Sequence, residues 1–385
     1  MENLYFTEEH KMLRDMVREF ARNEVKPLAQ ELDESGGFPH ESVAKMAELG
    51  LMGIPWEEKY GGTGMDTLAL VIAIEELGKV CPSTGATMMA HTSLGTAPIA
   101  AFGTDEQKEK YLPGLASGEK IGAFGLTEPN AGSDAGNTQT RAVLEGDEYI
   151  VNGEKAFCTN AGVASVMIFT AVMVEEGEEK GISAFVIDAD TEGMSVNPPE
   201  KKMGWCGSDT RSVFFKDMRI PKSAVLGNPS KGFKQFLKTL TGGRITIGAL
   251  GLGTAQGGYL KALEYSQERE AFGKPINAFQ GISFKLSDMA TQIEAARHLV
   301  YYAAWKKDQG LPVIREAAMA KLFSSETAMK VTTEAIQVLG GYGYIKEYDV
   351  ERFFRDAKIL EIGEGTSEVQ RIIIAREIFK NIQNI

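Results

Sequence analysis

Cysteine, histidine and tryptophan are all scarce in this 385-residue chain, with three, four and three copies. Cys81, Cys158 and Cys206 lie far apart and form no C-x-x-C pair, which argues against a disulfide scaffold or a cysteine zinc site. His10, His40, His91 and His298 show no ligand spacing, so neither a metal centre nor a His-centred triad is expected. No apolar run reaches the ~18 residues that span a bilayer. No basic stretch followed by an apolar one opens the chain, so no secretory signal is expected. These absences fit a reducing compartment: the bacterial-type cytoplasm or, for a processed form, the mitochondrial matrix. Positive charge is also short. Lys and Arg number 41 against 53 Asp and Glu, for a net charge of −12. Such a chain repels nucleic acid. It can still hold a small phosphate ligand, which needs only a local basic or backbone-amide site.

What is present is ordinary for a globular protein, with 43% hydrophobic and 24% charged residues. The length allows two or three domains at roughly 150 residues each. Residues 1–118 read as helical. Thr7 can cap a helix with Glu8 and Glu9 in its first turn and Leu13, Met16, Val17 and Phe20 on one face. Met88 to Phe102 reads as a buried helix. Residues 119–225 change to short β-rich runs at Val166 to Val172, Ile182 to Ile187 and Val213 to Ile220, which suggests a barrel or sandwich. Asn152-Gly153, flanked by Tyr149–Val151 and Lys155–Phe157, is a type I′ hairpin signal. Residues 226–385 return to a helical period. Met289, Ile293, Ala296, Val300 and Ala303 form one stripe there, which suggests an antiparallel bundle. Gly248, Gly251, Gly253 and Gly257 follow no strand, so close helix packing is expected of them rather than a Rossmann turn.

Near the C-terminus, Glu364 sits between Gly363 and Gly365. Glycines let the backbone bend close to a ligand, and a carboxylate held there can act as a general base. Equally, Ser367 with Gln370 has the spacing of a capping box, so the segment can simply start a helix. Other motifs bear on the choice. Ala123-Phe-Gly-Leu-Thr-Glu-Pro-Asn-Ala-Gly-Ser133-Asp134 precedes Asn152-Gly-Glu-Lys-Ala-Phe157-Cys-Thr159-Asn160. Arg269-Glu-Ala-Phe272-Gly273 with Gln280, and Gln337-Val-Leu-Gly340-Gly341, follow later. In order and spacing these resemble the acyl-CoA dehydrogenase family of flavoproteins, from about Thr7 to Ile378.

The resemblance implies an α+β multidomain fold: an N-terminal all-α domain, a central β-barrel and a C-terminal four-helix bundle. It implies FAD, held by Phe124, Leu126, Thr127, Ser133, Phe157, Thr159, Thr366 and Glu368. Thr127 would bond the flavin ring, Thr159 would bond near N5, and Phe157 stands where many members carry tryptophan. Arg269, Phe272 and Gln280 would bind the flavin pyrophosphate of a neighbouring subunit, and Gln337, Gly340 and Gly341 its adenosine end. That sharing implies an oligomer, a homotetramer built as a dimer of dimers. Acyl-CoA would meet Ser133, Gly243, Arg244 and Gly365. Isovaleryl and long-chain members carry their base just before this arginine, where Gly243 cannot serve, so the base falls to Glu364. Gly363 replaces a pocket tyrosine of many members and leaves room for a branched or cyclic acyl group.

The implied reaction is α,β-dehydrogenation of the thioester to the trans-2-enoyl-CoA. Glu364 takes the α-proton, the β-hydrogen leaves as hydride to flavin N5, and electrons pass to an electron-transferring flavoprotein. A branched, cyclic or dicarboxylic acyl-CoA dehydrogenase, a flavin acyl-CoA oxidase and a DNA-binding flavoprotein are rival readings. The acidic charge counts against the last. No metal, nucleic acid or membrane partner is expected.

Overall fold

A computed structural model describes residues 4–380; the outermost residues of the first and last expected domains lie outside the described ones. Seven helices come first: α1 (Glu8–Phe20), α2 (Ala29–Ser35), α3 (His40–Glu48), α4 (Thr67–Gly78), α5 (Pro82–Ala90), α6 (Ala97–Phe102) and α7 (Asp105–Ala116). Thr7 caps α1 as its sequence suggests, but the reciprocal partner is His10, whose Nε2 reaches on to Asp66, the N-cap of α4, at 2.9 Å. Every residue of α4 is buried, including Glu75 and Glu76. Buried carboxylates need partners. Glu75 has Gln256 at 2.7 Å and the Tyr301 hydroxyl, and Glu76 takes Arg18 and Lys79. These contacts tie α4 to α1 and to the C-terminal helices.

The stretch Met88 to Phe102 is helical as expected, with one interruption: His91–Thr96 widens into a π-helix. His91 is fully buried there, its Nε2 donating to Leu115 O (2.9 Å) while its Nδ1 accepts from Gly122 N (3.1 Å). Gly95 and Gly122 approach so closely that a methyl on either would overlap the other's backbone. The π-helix is thereby fastened to the first strand.

The strands are β1 (Gly122–Gly125), β2 (Arg141–Glu145), β3 (Glu148–Thr159), β4 (Val166–Glu175), β5 (Glu178–Asp188), β6 (Met194–Val196), β7 (Thr210–Pro221) and β8 (Val225–Leu226). They form one sheet in the order β6-β7-β3-β2-β4-β5-β8, with β1 also on β4. The sheet is not a closed barrel, which corrects the expectation drawn from the resemblance. Its two ends, β6 and β8, are three and two residues long and do not pair with each other. Alternating hydrophobicity identifies strands but does not encode closure, which depends on stagger and tilt.

A second correction concerns Asn152-Gly153, which lies inside β3 rather than at a hairpin turn. The register slips between Val151 and Gly153, and Gly153 has φ +147°. The Asn152 amide exchanges hydrogen bonds with Asp217 of β7. The pair makes a bulge, which glycine permits as readily as a turn. The β2–β3 turn falls instead at Gly146-Asp147, where Glu145 faces Glu148 and Gly146 has φ +63°.

Helices resume with α8 (Gly232–Glu268), then a two-strand ribbon of β9 (Glu270–Ala271) and β10 (Lys274–Pro275). After it come α9 (Gln280–Asp308), α10 (Ile314–Leu339), α11 (Val350–Lys358) and α12 (Ser367–Lys380). The stripe Met289, Ile293, Ala296, Val300 and Ala303 is buried on α9. The α8 glycines are packing residues. A methyl on Gly253 would come within 3.0 Å of Gly78 Cα on α4, and one on Gly251 within 3.3 Å of Ser324 O on α10. Among the described residues no helix is long and apolar enough to cross a membrane.

Gly253→Ala should therefore lower stability by about 1–3 kcal/mol, because backbone and not a flexible side chain must give way. Gly281→Ala on α9, where an added methyl meets open space, should be neutral or stabilising. Paired thermal or urea melts of the two variants check this.

Candidate functional site

The turn between α11 and α12 carries Glu364 in a left-handed conformation, φ +53°, followed by Gly365 at φ +92°. The left-handed region costs a non-glycine residue roughly 1–2 kcal/mol. The backbone is held there by donors to its carbonyls. Gly365 O accepts from Lys321 Nζ at 2.7 Å and from Gln370 Nε2 at 2.8 Å, and Gln370 also reaches Glu364 O at 3.3 Å. The capping-box expectation for Ser367 is corrected. Thr366 caps α12, accepting from Val369 N at 3.3 Å, while the buried Ser367 hydroxyl has no partner among the described residues. Gln370 serves the turn before the helix, not the helix itself.

The Glu364 side chain points into the protein. Its residue surface is partly open, but both carboxylate oxygens are enclosed and accept no hydrogen bond among the described residues. They lie over Gly243 of α8, where any added side chain would overlap Oε2 and come within 3.4 Å of Leu94 on the π-helix. Arg244 beside it is buried, and its Nε is also without a partner. Burial pushes the Glu364 carboxyl up to about 7, against the opposing pull of Lys321 and Arg244. Burial likewise lowers Arg244, and it lowers Lys321 to about 8, with Glu364 opposing both shifts. An enclosed, unpaired carboxylate poised near neutrality can accept a proton from a bound molecule. Gly363 has ordinary φ, and a Cβ there would make ordinary contacts with Ile359 O at 3.4 Å and with the Ile247 and Ile359 side chains at 3.9 Å.

A second group forms on β1, β3 and the loop between them. Phe124 stacks on Phe236 of α8 at 4.3 Å between ring centres, and Leu126 is buried. Thr127 is joined to β3 by Ala156 N donating to Thr127 O at 2.8 Å. A register shift between Lys155 and Cys158 leaves Phe157, at φ +56°, exposed, with Cys158 buried and Thr159 half-buried after it. Ser133 is exposed further along the loop. Sequence reasoning missed the pair that fixes this loop, Glu128 and Lys155. Lys155 is fully buried and donates to Glu128 at 2.6 Å and to Thr170 Oγ1 at 3.2 Å. Glu128 in turn accepts from Gln139 N and Thr140 N. A lysine at a buried strand position, with a glutamate just after Thr127, is the signal that could have found it.

The third group lies at the far end of α8. Arg269, Phe272, Gly340 and Gly341 line a surface cavity of about 580 Å³, with the Arg269 guanidinium 5.8 Å from the Tyr342 ring. Phe272 stands at the tip of the β9–β10 ribbon, 95% exposed and at φ +51°. Gln280 opens α9 and Gln337 nears the end of α10, both exposed, and neither lines that cavity. Glu368 is exposed in the first turn of α12. The fit to a dinucleotide cofactor rests on these features: exposed aromatic faces at Phe157 and Phe272, open glycine backbone at Gly340 and Gly341, and an arginine at a cavity rim.

Comparison with known proteins agrees with this arrangement. The acyl-CoA dehydrogenase N-terminal, middle and C-terminal domain families match residues 7–119, 123–218 and 230–379. A short-chain specific acyl-CoA dehydrogenase of Clostridium acetobutylicum is 52% identical, over 97% of this chain and 99% of its own. The butyryl-CoA dehydrogenase of Megasphaera elsdenii has a TM-score of 0.95 at 44% identity, over 98% of this chain and 100% of that one. A chain of a solved structure described as the electron transferring flavoprotein of Acidaminococcus fermentans has a TM-score of 0.96 at 46% identity, over 98% and 100%.

The raised Glu364 carboxyl links the site to stability. Between about 4.5 and about 7 the native protein keeps a proton that the unfolded chain releases. Stability is therefore lost as pH rises through that window and stays lost above it, by on the order of 3 kcal/mol. Glu364→Gln should melt higher than the wild type at pH 8 and converge with it near pH 4. Melting midpoints across pH check the sign.

Proposed function

Because the chain belongs to the acyl-CoA dehydrogenase family, we propose that it oxidises a short acyl-CoA thioester to the 2-enoyl-CoA, with Glu364 as base. The observation that carries this reading is the enclosed Glu364 carboxylate above Gly243, without a hydrogen-bond partner among the described residues and pushed up to about 7. FAD, when bound, supplies the acceptor for the β-hydrogen.

The protein's own part is to bind, orient and deprotonate. Thr127 and Thr159 would hold the flavin ring, and Phe157 would supply an aromatic surface for it. Lys155 and Glu128 keep the Thr127 loop rigid from beneath. Arg269, Phe272, Gln280, Gln337, Gly340 and Gly341 take the diphosphate and adenosine of a neighbouring subunit's cofactor, which makes the working form a homotetramer. Arginine suits that role because its planar fork donates two bonds to a diphosphate. Acyl-CoA enters past Ser133, and its α-carbon comes to rest beside the Glu364 carboxylate, which lies over Gly243. Leu94 and Ile247 exclude water there, which keeps the carboxylate basic enough to act and close enough to neutrality to be ionised. The Glu364 N–H serves as a donor to the thioester oxygen, where negative charge develops. Electrons leave to an electron-transferring flavoprotein, as the likeness to short-chain relatives supports. A cytoplasmic bacterial enzyme is the setting that goes with those relatives.

Glu364→Gln should retain one FAD per chain and its yellow colour while losing about 10²–10⁴ in turnover, the usual worth of a general base. Stopped-flow bleaching of the flavin by butyryl-CoA is the measurement, and a near wild-type rate would remove Glu364 from the role. Oxygen uptake without an added acceptor would instead indicate an oxidase.

Gly363→Tyr should fill space beside Ile247 and Ile359 and penalise branched acyl groups over butyryl by about 1–3 kcal/mol in kcat/KM. A steady-state panel of linear, branched, cyclic and dicarboxylic acyl-CoAs reads this directly. Equal losses on all substrates would place Gly363 outside the acyl pocket.

A further inference from the structure

Lys321 lies on α10 with its side chain fully buried, yet among the described residues it makes no hydrogen bond to a carboxylate. Its ammonium donates instead to a backbone carbonyl, Gly365 O, at 2.7 Å. Burying an ammonium is costly, and a neutral donor could satisfy one carbonyl. The carbonyl concerned belongs to the residue after Glu364, and it is the one on which Gln370 also converges. Two donors thus grip the second of two consecutive left-handed residues.

Two cations act on Glu364: Arg244 from α8 and Lys321 from α10. Around them, Arg376 of α12 acts on Arg244, while Glu361 and Glu368 act on Lys321. We propose that Lys321 is a positioning residue with two separable effects: its hydrogen bond holds the Glu364 turn, and its charge sets the pH at which Glu364 becomes a base. This rests on the reading of Glu364 as the base. Lys321 opposes the burial of the Glu364 carboxylate more strongly than Arg244 does. The role is absent from the sequence motifs because Lys321 is 43 positions away on another helix, among buried alanines and serines.

The test uses the FAD-loaded enzyme. Lys321→Met removes both effects, Lys321→Gln removes the charge and keeps a donor, and Gln370→Leu removes a donor and keeps the charge. Two quantities are read: the acid limb of kcat/KM against pH, and the Glu364 midpoint from carbon-13 NMR of labelled glutamate carboxyls. Glu364→Gln identifies the resonance. Both lysine variants should move the limb and the midpoint upward by about one pH unit, the scale on which losing a nearby opposite charge shifts a carboxylate. Lys321→Arg should bring the midpoint back toward the wild type. Gln370→Leu should lower kcat by about tenfold, the kind of loss small misplacement causes, with the midpoint unmoved. A wild-type midpoint in Lys321→Gln overturns the proposal, as does a midpoint that moves equally in Gln370→Leu. Should Lys321→Met not fold, the Gln and Arg variants decide alone. Absence of acyl-CoA oxidation by the wild type would remove the functional reading instead, because the NMR midpoints need no substrate.

Discussion

An ionisable carboxylate placed out of water with no hydrogen-bond donor is the constraint around which this protein is arranged. Left alone, such a group takes up a proton or swings back to solvent. Glu364 is prevented from doing either freely. Its backbone is fixed in the left-handed region by Lys321 and Gln370 acting on the following carbonyl. Its head lies in space that exists because residue 243 has no side chain. Arg244 and Lys321 supply enough opposing field to leave the group near neutrality rather than permanently protonated. Backbone strain, a missing side chain and two buried cations come from three separate segments: the Glu364 turn, α8 and α10. The function lies in their coincidence, not in any one of them.

Helix α8 brings these segments together. Its glycines draw it close to α4 on one side and α10 on the other, and Gly243 and Arg244 lie along the same helix. Gln256 reaches across to Glu75, so a buried carboxylate on α4 accepts a hydrogen bond from the helix that carries the site. At its end, the helix delivers Arg269 and the Phe272 ribbon to a separate surface cavity. Toward its beginning, Phe236 stacks on Phe124 and so joins α8 to the strand that leads into the Thr127 loop. One rigid element therefore sets the spacing among all three groups of site residues.

Much of this was legible in the chain. The α9 stripe, the Thr7 cap and the α8 packing glycines follow from local rules of period and volume, and local rules do not need the rest of the fold. The errors have a common physical origin. Asn152-Gly153 fits a turn and a bulge equally well, because both need a residue tolerant of positive φ, and only pairing with Asp217 selects the bulge. Ser367 fits a cap by spacing, but Thr366 takes the role because the two left-handed residues before it rotate the chain entry. Sheet closure depends on stagger between strands distant in sequence, which hydrophobic alternation does not encode. Lys155 and Lys321 were invisible for a related reason. Each is a charge at a core position, and its meaning lies in a partner contributed by another element.

Gly243 and Glu364 also constrain each other. The sequence reading treats residue 243 as an alternative seat for the base, and the geometry shows why the two seats are exclusive. A side chain at 243 would occupy the volume that the Glu364 carboxylate fills now. Adding a glutamate at 243 beside a glutamine at 364 would crowd one cavity with two long polar side chains, and the backbone of α8 is too tightly packed against α4 and α10 to withdraw. Moving the base across the pocket thus requires emptying position 364 at the same time. Arg244 sits next to the alternative seat and Lys321 grips the present one, so the exchange would also trade one neighbouring cation for the other. The position of the base and the pH at which it works are for that reason a single structural choice.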